Sequence, residues 1–187
     1  MIFIMLADEN LIKILKNNGV AVIPTDTVYG LVGSALSLPV VNRIYSLRRR
    51  NPEKPCIILI GEPEEIKKFS IILSTEQGKK IGEYWPGAVS IVFDCEDENF
   101  SYLYRGTKTL AFRIPAQEKL RDMLTETGPL IAPSANPEGL PVAQNITEAE
   151  AYFGDSVDLY IDGGELTGKA SKVIKLHKDG SVSILRE

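Results

Sequence analysis

Hydroxyl, carboxylate and guanidinium groups appear in this sequence at a few places where an apolar run would otherwise continue. The stretch Ile23–Gly33, IPTDTVYGLVG, breaks a hydrophobic segment with Pro24, sets Thr25 and Thr27 on either side of Asp26, and resumes with Val28-Tyr29-Gly30-Leu31. It reads as a strand end whose polar groups face something small. Ser46–Pro55, SLRRRNPEKP, gathers Arg48, Arg49, Arg50 and Lys54 at a helix end and in the loop beyond it, stiffened by Pro52 and Pro55. Two readings stay open there: a solvated helix terminus whose cations complement the dipole, or planar forks that bind phosphate or carboxylate. Arg113 in LAFRIP and Arg186 in SILRE stand in apolar strands, which calls for an anionic partner or an exposed face. Ala132–Gly139, APSANPEG, is either an ordinary turn or a loop whose hydroxyl, amide and backbone N–H groups line a pocket.

Other chemistries fit less well. GGELTGKAS has the Gly163, four-residue, Gly168-Lys169 spacing of a phosphate-binding loop, but Ala170 stands where Ser or Thr should hold magnesium. The segment after it, KVIKLHKDG, reads as a strand entering a hairpin and not as the helix such a loop must open. His177 is the single histidine and directly precedes a turn, so it reads as a surface residue. Cys56 and Cys95 show no metal spacing and no disulfide framework, and read as buried and reduced. The His and Cys counts exclude metal sites built from those residues. No metal-ligating set is expected.

These groups need a scaffold. A chain of 187 residues, 44% hydrophobic and 25% charged, reads as one domain over residues 1–187 with a sizeable core. A formal charge of −4 announces no nucleic-acid partner globally, although a local basic patch is compatible with it. MIFIML at the start lacks a basic flank and reads as a strand and not a signal peptide. No apolar run reaches the roughly 18 residues of a membrane span. The expected location is cytoplasmic, with no membrane partner.

Short apolar runs predict strands at 20–23, 56–60, 89–93, 110–114, 130–132, 157–161 and 173–176. Helical spacing predicts helices in DENLIKILKNNG, with Asp8 as cap, PVVNRIYSLRR, EPEEIKKFSIIL, TEQGKKIGEYW, EKLRDMLTETG and NITEAEAYFG, the last capped by Asn145 or Thr147. Asp179-Gly180 predicts a terminal hairpin, and DCEDENFSYLYRGTK a surface loop. YWPGAVSIVF reads as a helix end at Trp85-Pro86, a turn at Gly87 and a core strand. The elements interleave without strict alternation, which predicts an α/β fold of the α+β type: a mixed sheet with flanking helices.

In this order, PTDTVYGL, RRRNPEKP, WPGAVSIV, FRIP, APSAN, VDLYIDGG and ILRE resemble the YrdC-like threonylcarbamoyl-AMP synthases from Pro24 to Arg186. No single motif is diagnostic, but the ordered set is specific. The resemblance implies a YrdC/RibB-like fold, a twisted mixed sheet with a large, positively charged concave cleft, in its short form without an extra C-terminal domain. It implies a nucleotidyltransferase that makes threonylcarbamoyl-AMP and pyrophosphate from L-threonine, bicarbonate and ATP. A separate transferase complex would then modify adenosine 37 of tRNA. By the family pattern Thr25, Tyr29, Arg113 and Ser171 would meet L-threonine. Arg50, Lys54, Thr109, Ser134, Asn136 and Arg186 would hold ATP, and Arg48 with Arg50 would act on phosphate and bicarbonate. Magnesium would arrive with ATP and not in a fixed protein site. Three positions depart from the pattern: Arg48 replaces a lysine, Ala170-Ser171-Lys172-Val173 replaces P-S-T-V, and Leu59 stands where some members have histidine. The rival reading is a catalytically altered module that binds tRNA or double-stranded RNA through Arg48–Arg50 and Lys54, with steep salt dependence.

Overall fold

The computed structural model describes residues 8–187; Met1–Leu6, expected as a strand, lies outside the described residues. Among these, nine strands make one mixed sheet: β1 (Ala21–Ile23), β2 (Gly30–Ser34), β3 (Ile57–Leu59), β4 (Val89–Asp94), β5 (Thr109–Arg113), β6 (Leu130–Ile131), β7 (Leu159–Tyr160), β8 (Lys172–Leu176) and β9 (Val182–Arg186). Their spatial order is β7-β1-β2-β6-β3-β5-β4-β8-β9. The β1–β7, β3–β5 and β4–β8 pairs are parallel and the rest antiparallel.

Side chains alternate across the strands, so the sheet has two apolar faces. Val22 and Leu31 belong to one cluster, while Ala21, Ile23 and Val32 belong to the other. Helix α1 (Glu9–Lys16) covers the second face through Leu11 and Leu15, one turn apart and fully buried. The Asp8 carboxylate accepts the Asn10 N–H at 2.8 Å, and Lys13 and Lys16 sit at the negative end of the dipole. The first face receives α2 (Leu38–Leu47) through Val40, Val41 and Ile44. Gly33 permits that approach, because a Cβ on β2 at this point would run into the Val40 side chain.

The remaining helices are α3 (Thr75–Lys80), α4 (Ser101–Tyr104), α5 (Glu118–Thr127) and α6 (Ile146–Phe153), the last capped by the Asn145 side chain on the Glu148 N–H. Three local expectations need correction. EPEEIKKFSIIL does not form an α-helix: a 3₁₀ helix spans Pro63–Phe69, whose three-residue period stacks the buried Ile66 and Phe69, and Ser70 ends it in the left-handed region. The expected loop at 94–108 instead contains a 3₁₀ turn and α4, because Leu103 and Tyr104 are buried in the core. Strand β2 was not anticipated; its two glycines mask a strand signature. No helix among the described residues is long and apolar enough to cross a membrane.

Candidate functional site

The turn between β1 and β2 is shaped from within. The Thr25 hydroxyl donates to the Val28 carbonyl at 2.7 Å and accepts the N–H groups of Thr27 and Val28, both at 3.2 Å. The chain after β6 is zipped onto this turn: Leu31 N–H donates to the Pro133 carbonyl at 2.9 Å, and Ala135 N–H to the Tyr29 carbonyl at 2.8 Å. Two loops that are about a hundred residues apart along the chain, near Thr27 and Ser134, thus become neighbours.

Between them opens a cleft of about 250 Å³. Arg48, Arg50, Arg113 and Arg186 all line it, together with Ser134 and Ser171, and the lining contains no carboxylate. Sheet register explains how remote arginines meet. Val173 of β8 lies beside Ser90 of β4 and Arg186 of β9, and Arg113 lies opposite Ser90, one rung beyond the Ile91–Phe112 pair. Arg113 and Arg186 therefore end one row across four strands, roughly 14 Å apart at their backbones, three strand spacings. The small Ser90 and Val173 lie between them.

Three of the four guanidinium groups are fixed in the same way, through Nε and Nη2 to uncharged oxygens. Arg48 donates from Nε to the Asn136 carbonyl (2.9 Å) and from Nη2 to Asn136 Oδ1 (3.0 Å) and Ser134 Oγ (3.2 Å). Arg50 uses the carbonyls of Lys54 (3.0 Å) and Pro55 (2.8 Å). Arg186 uses the Ser171 carbonyl (3.2 and 2.6 Å). Each is oriented without being neutralised. Burial, then the adjacent Arg50 charge, holds the Arg48 pKa below the ordinary arginine value, and burial does the same for Arg186. Both sites favour an anion that would restore the balance.

Arg113 differs: it forms an ion pair with Asp26, whose second oxygen accepts the Ala116 N–H at 2.8 Å. Arg113 Nη2 also reaches the Thr27 hydroxyl at 3.3 Å.

Of the residues expected at the site, five lie outside the lining. Thr25 is buried with its hydroxyl committed to the turn, and Thr27 takes the place at the cleft. Tyr29 is fully buried; its hydroxyl accepts the Gly163 N–H (2.7 Å) and donates to the Gly164 carbonyl (2.8 Å), so it fastens the segment between β7 and β8. Lys54 contributes its carbonyl to Arg50, while its ammonium turns to Glu138 at 2.5 Å. Asn136 spends its amide on the Pro137 and Leu140 carbonyls and its oxygen on Arg48 and Ser134, and so shapes the wall. Thr109 shares the β5 face of Ala111 and Arg113 but lies two residues beyond the lining, bonded to Thr107.

Sequence reasoning passed over Glu138. Its backbone N–H donates to the Arg48 carbonyl (2.7 Å) and its carboxylate takes both the Asn51 N–H and the Lys54 ammonium (2.5 Å each), stapling the arginine arm to the 132–140 loop. The PEG turn gave no signal of this, because the partners of its carboxylate lie 84 to 87 residues away. Among the described residues no three His, Cys, Asp or Glu side chains converge to hold a metal. Cys56 and Cys95 are free and buried. His177 Nε2 meets the Ser183 hydroxyl at 2.8 Å, away from the cleft. The 163–171 segment leads into β8 without a helix.

A sequence profile of the Sua5, YciO and YrdC proteins, described as telomere recombination, matches residues 13–187. A putative threonylcarbamoyl-AMP synthase of Mycobacterium leprae is 29% identical over 172 residues, 92% of this chain and 78% of that protein. A threonylcarbamoyl-AMP synthase of Klebsiella pneumoniae is 32% identical over 155 residues, 81% of each chain. Among solved structures, that of P. abyssi Sua5 complexed with L-threonine superposes with a TM-score of 0.85 at 28% identity, covering 95% of this chain. The chain spans about half the length of that archaeal protein, 52%.

Proposed function

The chain belongs to the Sua5, YciO and YrdC family, and on that premise we propose that it is a threonylcarbamoyl-AMP synthase. One observation carries the reading: four guanidinium groups share a lining free of carboxylates, and three of them are held by neutral oxygens, so their charge is left for anionic reactants. The proposed reaction consumes three substrates. The amine of L-threonine attacks bicarbonate, water leaves, and a carbamate results. A carbamate oxygen then attacks the α-phosphorus of ATP, the bond to the bridging oxygen breaks, and pyrophosphate departs. By class this is nucleotidyl transfer.

Nearly every participant is negative, so the work falls to positioning and charge stabilisation and not to a titrating base. Arg48 and Arg50 would face phosphate and bicarbonate, and Arg186 with Ser134 the nucleotide. Arg113, Thr27 and Ser171 would face L-threonine, the ligand present in the P. abyssi complex. A second, mainly apolar chamber of about 240 Å³ shares Val28, Ser134 and Ala170 with the cleft and is walled by Pro141, Val142 and Leu166. It suits the purine ring, leaving the triphosphate on the arginines. Magnesium would enter as part of the nucleotide and offset charge on the leaving pyrophosphate. The product would pass to a threonylcarbamoyl-transferase complex acting on adenosine 37 of tRNA, in the cytoplasm.

The purified protein with ATP should release pyrophosphate only when L-threonine and bicarbonate are both present, and Arg50→Ala or Arg113→Ala should abolish the release. Salt-sensitive RNA binding without threonine-dependent pyrophosphate release would replace this reading with that of an RNA-binding module.

A further inference from the structure

The four arginines of the cleft fall into two electrostatic kinds, and the division matches two kinds of substrate. Arg48, Arg50 and Arg186 are oriented by carbonyl, amide and hydroxyl oxygens, and none of the three is hydrogen-bonded to a carboxylate. Arg113 alone has a carboxylate, Asp26, and the two side chains are only 5% and 10% exposed. In such a setting water screens the pair weakly, so from the cleft it behaves as a dipole with little net charge. Resting on the synthase reading above, we propose that Asp26 is a positioning and specificity residue: it cancels the Arg113 charge so that this end of the cleft accepts a zwitterionic amino acid and refuses the inorganic and nucleotide anions that the other three arginines gather.

The donor count allows it. A guanidinium has five N–H groups; Arg113 commits one from Nη1 to Asp26 and one from Nη2 to Thr27, which leaves donors for a carboxylate. Asp26 is itself held in place, its second oxygen on the Ala116 N–H at the turn that follows β5. The pair therefore presents a fixed geometry as well as a fixed charge. Asp26 stands behind Arg113 and outside the lining, so it lowers the net attraction for any anion while leaving the guanidinium's directional hydrogen bonds for a carboxylate. Multiply charged phosphate and pyrophosphate lose more attraction by that cancellation than a zwitterion with a single carboxylate does. Without Asp26 the cleft would offer four equivalent cations, and the triphosphate of the nucleotide would compete for the amino-acid position.

The experiment titrates L-threonine calorimetrically into the full chain, with and without millimolar inorganic phosphate, and titrates ATP in parallel. In the unsubstituted protein phosphate should weaken ATP binding and leave L-threonine binding unchanged. In Asp26→Asn, which keeps an oxygen toward Arg113 but removes the charge, phosphate should become a competitor of L-threonine and lower its apparent affinity about tenfold. Asp26→Glu should restore the exclusion. Competition between phosphate and L-threonine already present in the unsubstituted protein overturns the inference, as does an Asp26→Asn protein that still ignores phosphate. If Asp26→Asn fails to fold, the unsubstituted protein's two titrations decide alone. An unsubstituted protein that binds no L-threonine overturns the synthase reading itself, before any variant is compared.

Discussion

On one side of the cleft, Arg48 reaches across to the 134–136 turn with three side-chain hydrogen bonds, and its own carbonyl receives a fourth from Glu138. On the opposite side, the segment between β7 and β8 is fastened at its ends, by Tyr29 on Gly163 and Gly164 and by Ser90 and Arg186 on Ser171. Between those ends Leu166 N–H reaches the Gln144 carbonyl at 2.7 Å, while among the described residues 167–170 make no hydrogen bond. The first wall is rigid because a buried guanidinium is costly unless it is hydrogen-bonded, and Nε and Nη2 of Arg48 both are. The second has few buried contacts to lose, which is the signature of a segment that opens at low cost. For the proposed reaction, admitting three substrates and then excluding water would gain from one fixed wall and one that yields.

The largest expected effect comes from removing the fixed wall. Arg48→Ala leaves the Asn136 carbonyl, Asn136 Oδ1 and Ser134 Oγ short of a donor, and should lower stability by about 1–3 kcal/mol in urea denaturation. Activity should fall at least about a hundredfold, as when an oriented charge is taken from a site. Arg48→Lys should fall between, because an ammonium cannot span the fork. If Arg48→Ala proved harmless to both, the contrast between the walls would collapse.

Gly168→Ala acts on the yielding wall. A Cβ there would overlap the Thr27 carbonyl, so the segment must move outward. L-threonine affinity should drop about tenfold with a global unfolding midpoint close to that of the parent, because the strain is released locally. A large loss of global stability would show that this wall is as integral as the other.

Tyr29→Phe sharpens the picture at a fastening point. The hydroxyl serves one N–H and one carbonyl, so its loss should cost about 1–2 kcal/mol and raise KM for L-threonine more than it lowers kcat. Burial lifts the Tyr29 pKa above the ordinary 10.0. The neutral phenol is thus the form the fold prefers: its contribution is complete below pH 10.0 and is lost as pH climbs through the higher folded value. The stability difference between parent and Tyr29→Phe should therefore be flat up to about pH 10 and shrink above it.

The smallest effect is expected from Lys54→Ala. Its ion pair with Glu138 is exposed on the lysine side, so the melting temperature should move little and the shift should vanish in high salt.

How much of this was legible beforehand follows from the range of the forces involved. Seven strands, the Asp8 and Asn145 caps and the closing hairpin were readable because periodicity, capping and turn chemistry act over a few residues. The 62–73 segment misled because Pro63 and the spacing of Ile66 and Phe69 suit α and 3₁₀ geometry alike. The region around Leu103 misled because its acidic start outweighed an apolar turn that the core claims. At the site, the resemblance and the apolar surroundings singled out all four arginines, and the cleft contains all four. Thr25 and Tyr29 were drawn toward the ligand because their types suit it, yet the turn spends the Thr25 hydroxyl internally and the core takes the Tyr29 ring.

The sequence by itself determined the inventory: where strands fall, which residues carry fixed charge, and that few titrating bases are on hand. Only the tertiary structure decided allegiance, that Arg113 answers to Asp26 eighty-seven residues away while Arg186 answers to a carbonyl. The physical reason is that a side chain's type is fixed by the chain, whereas its partner is fixed by strand order and register, which depend on how the whole sheet buries its apolar faces.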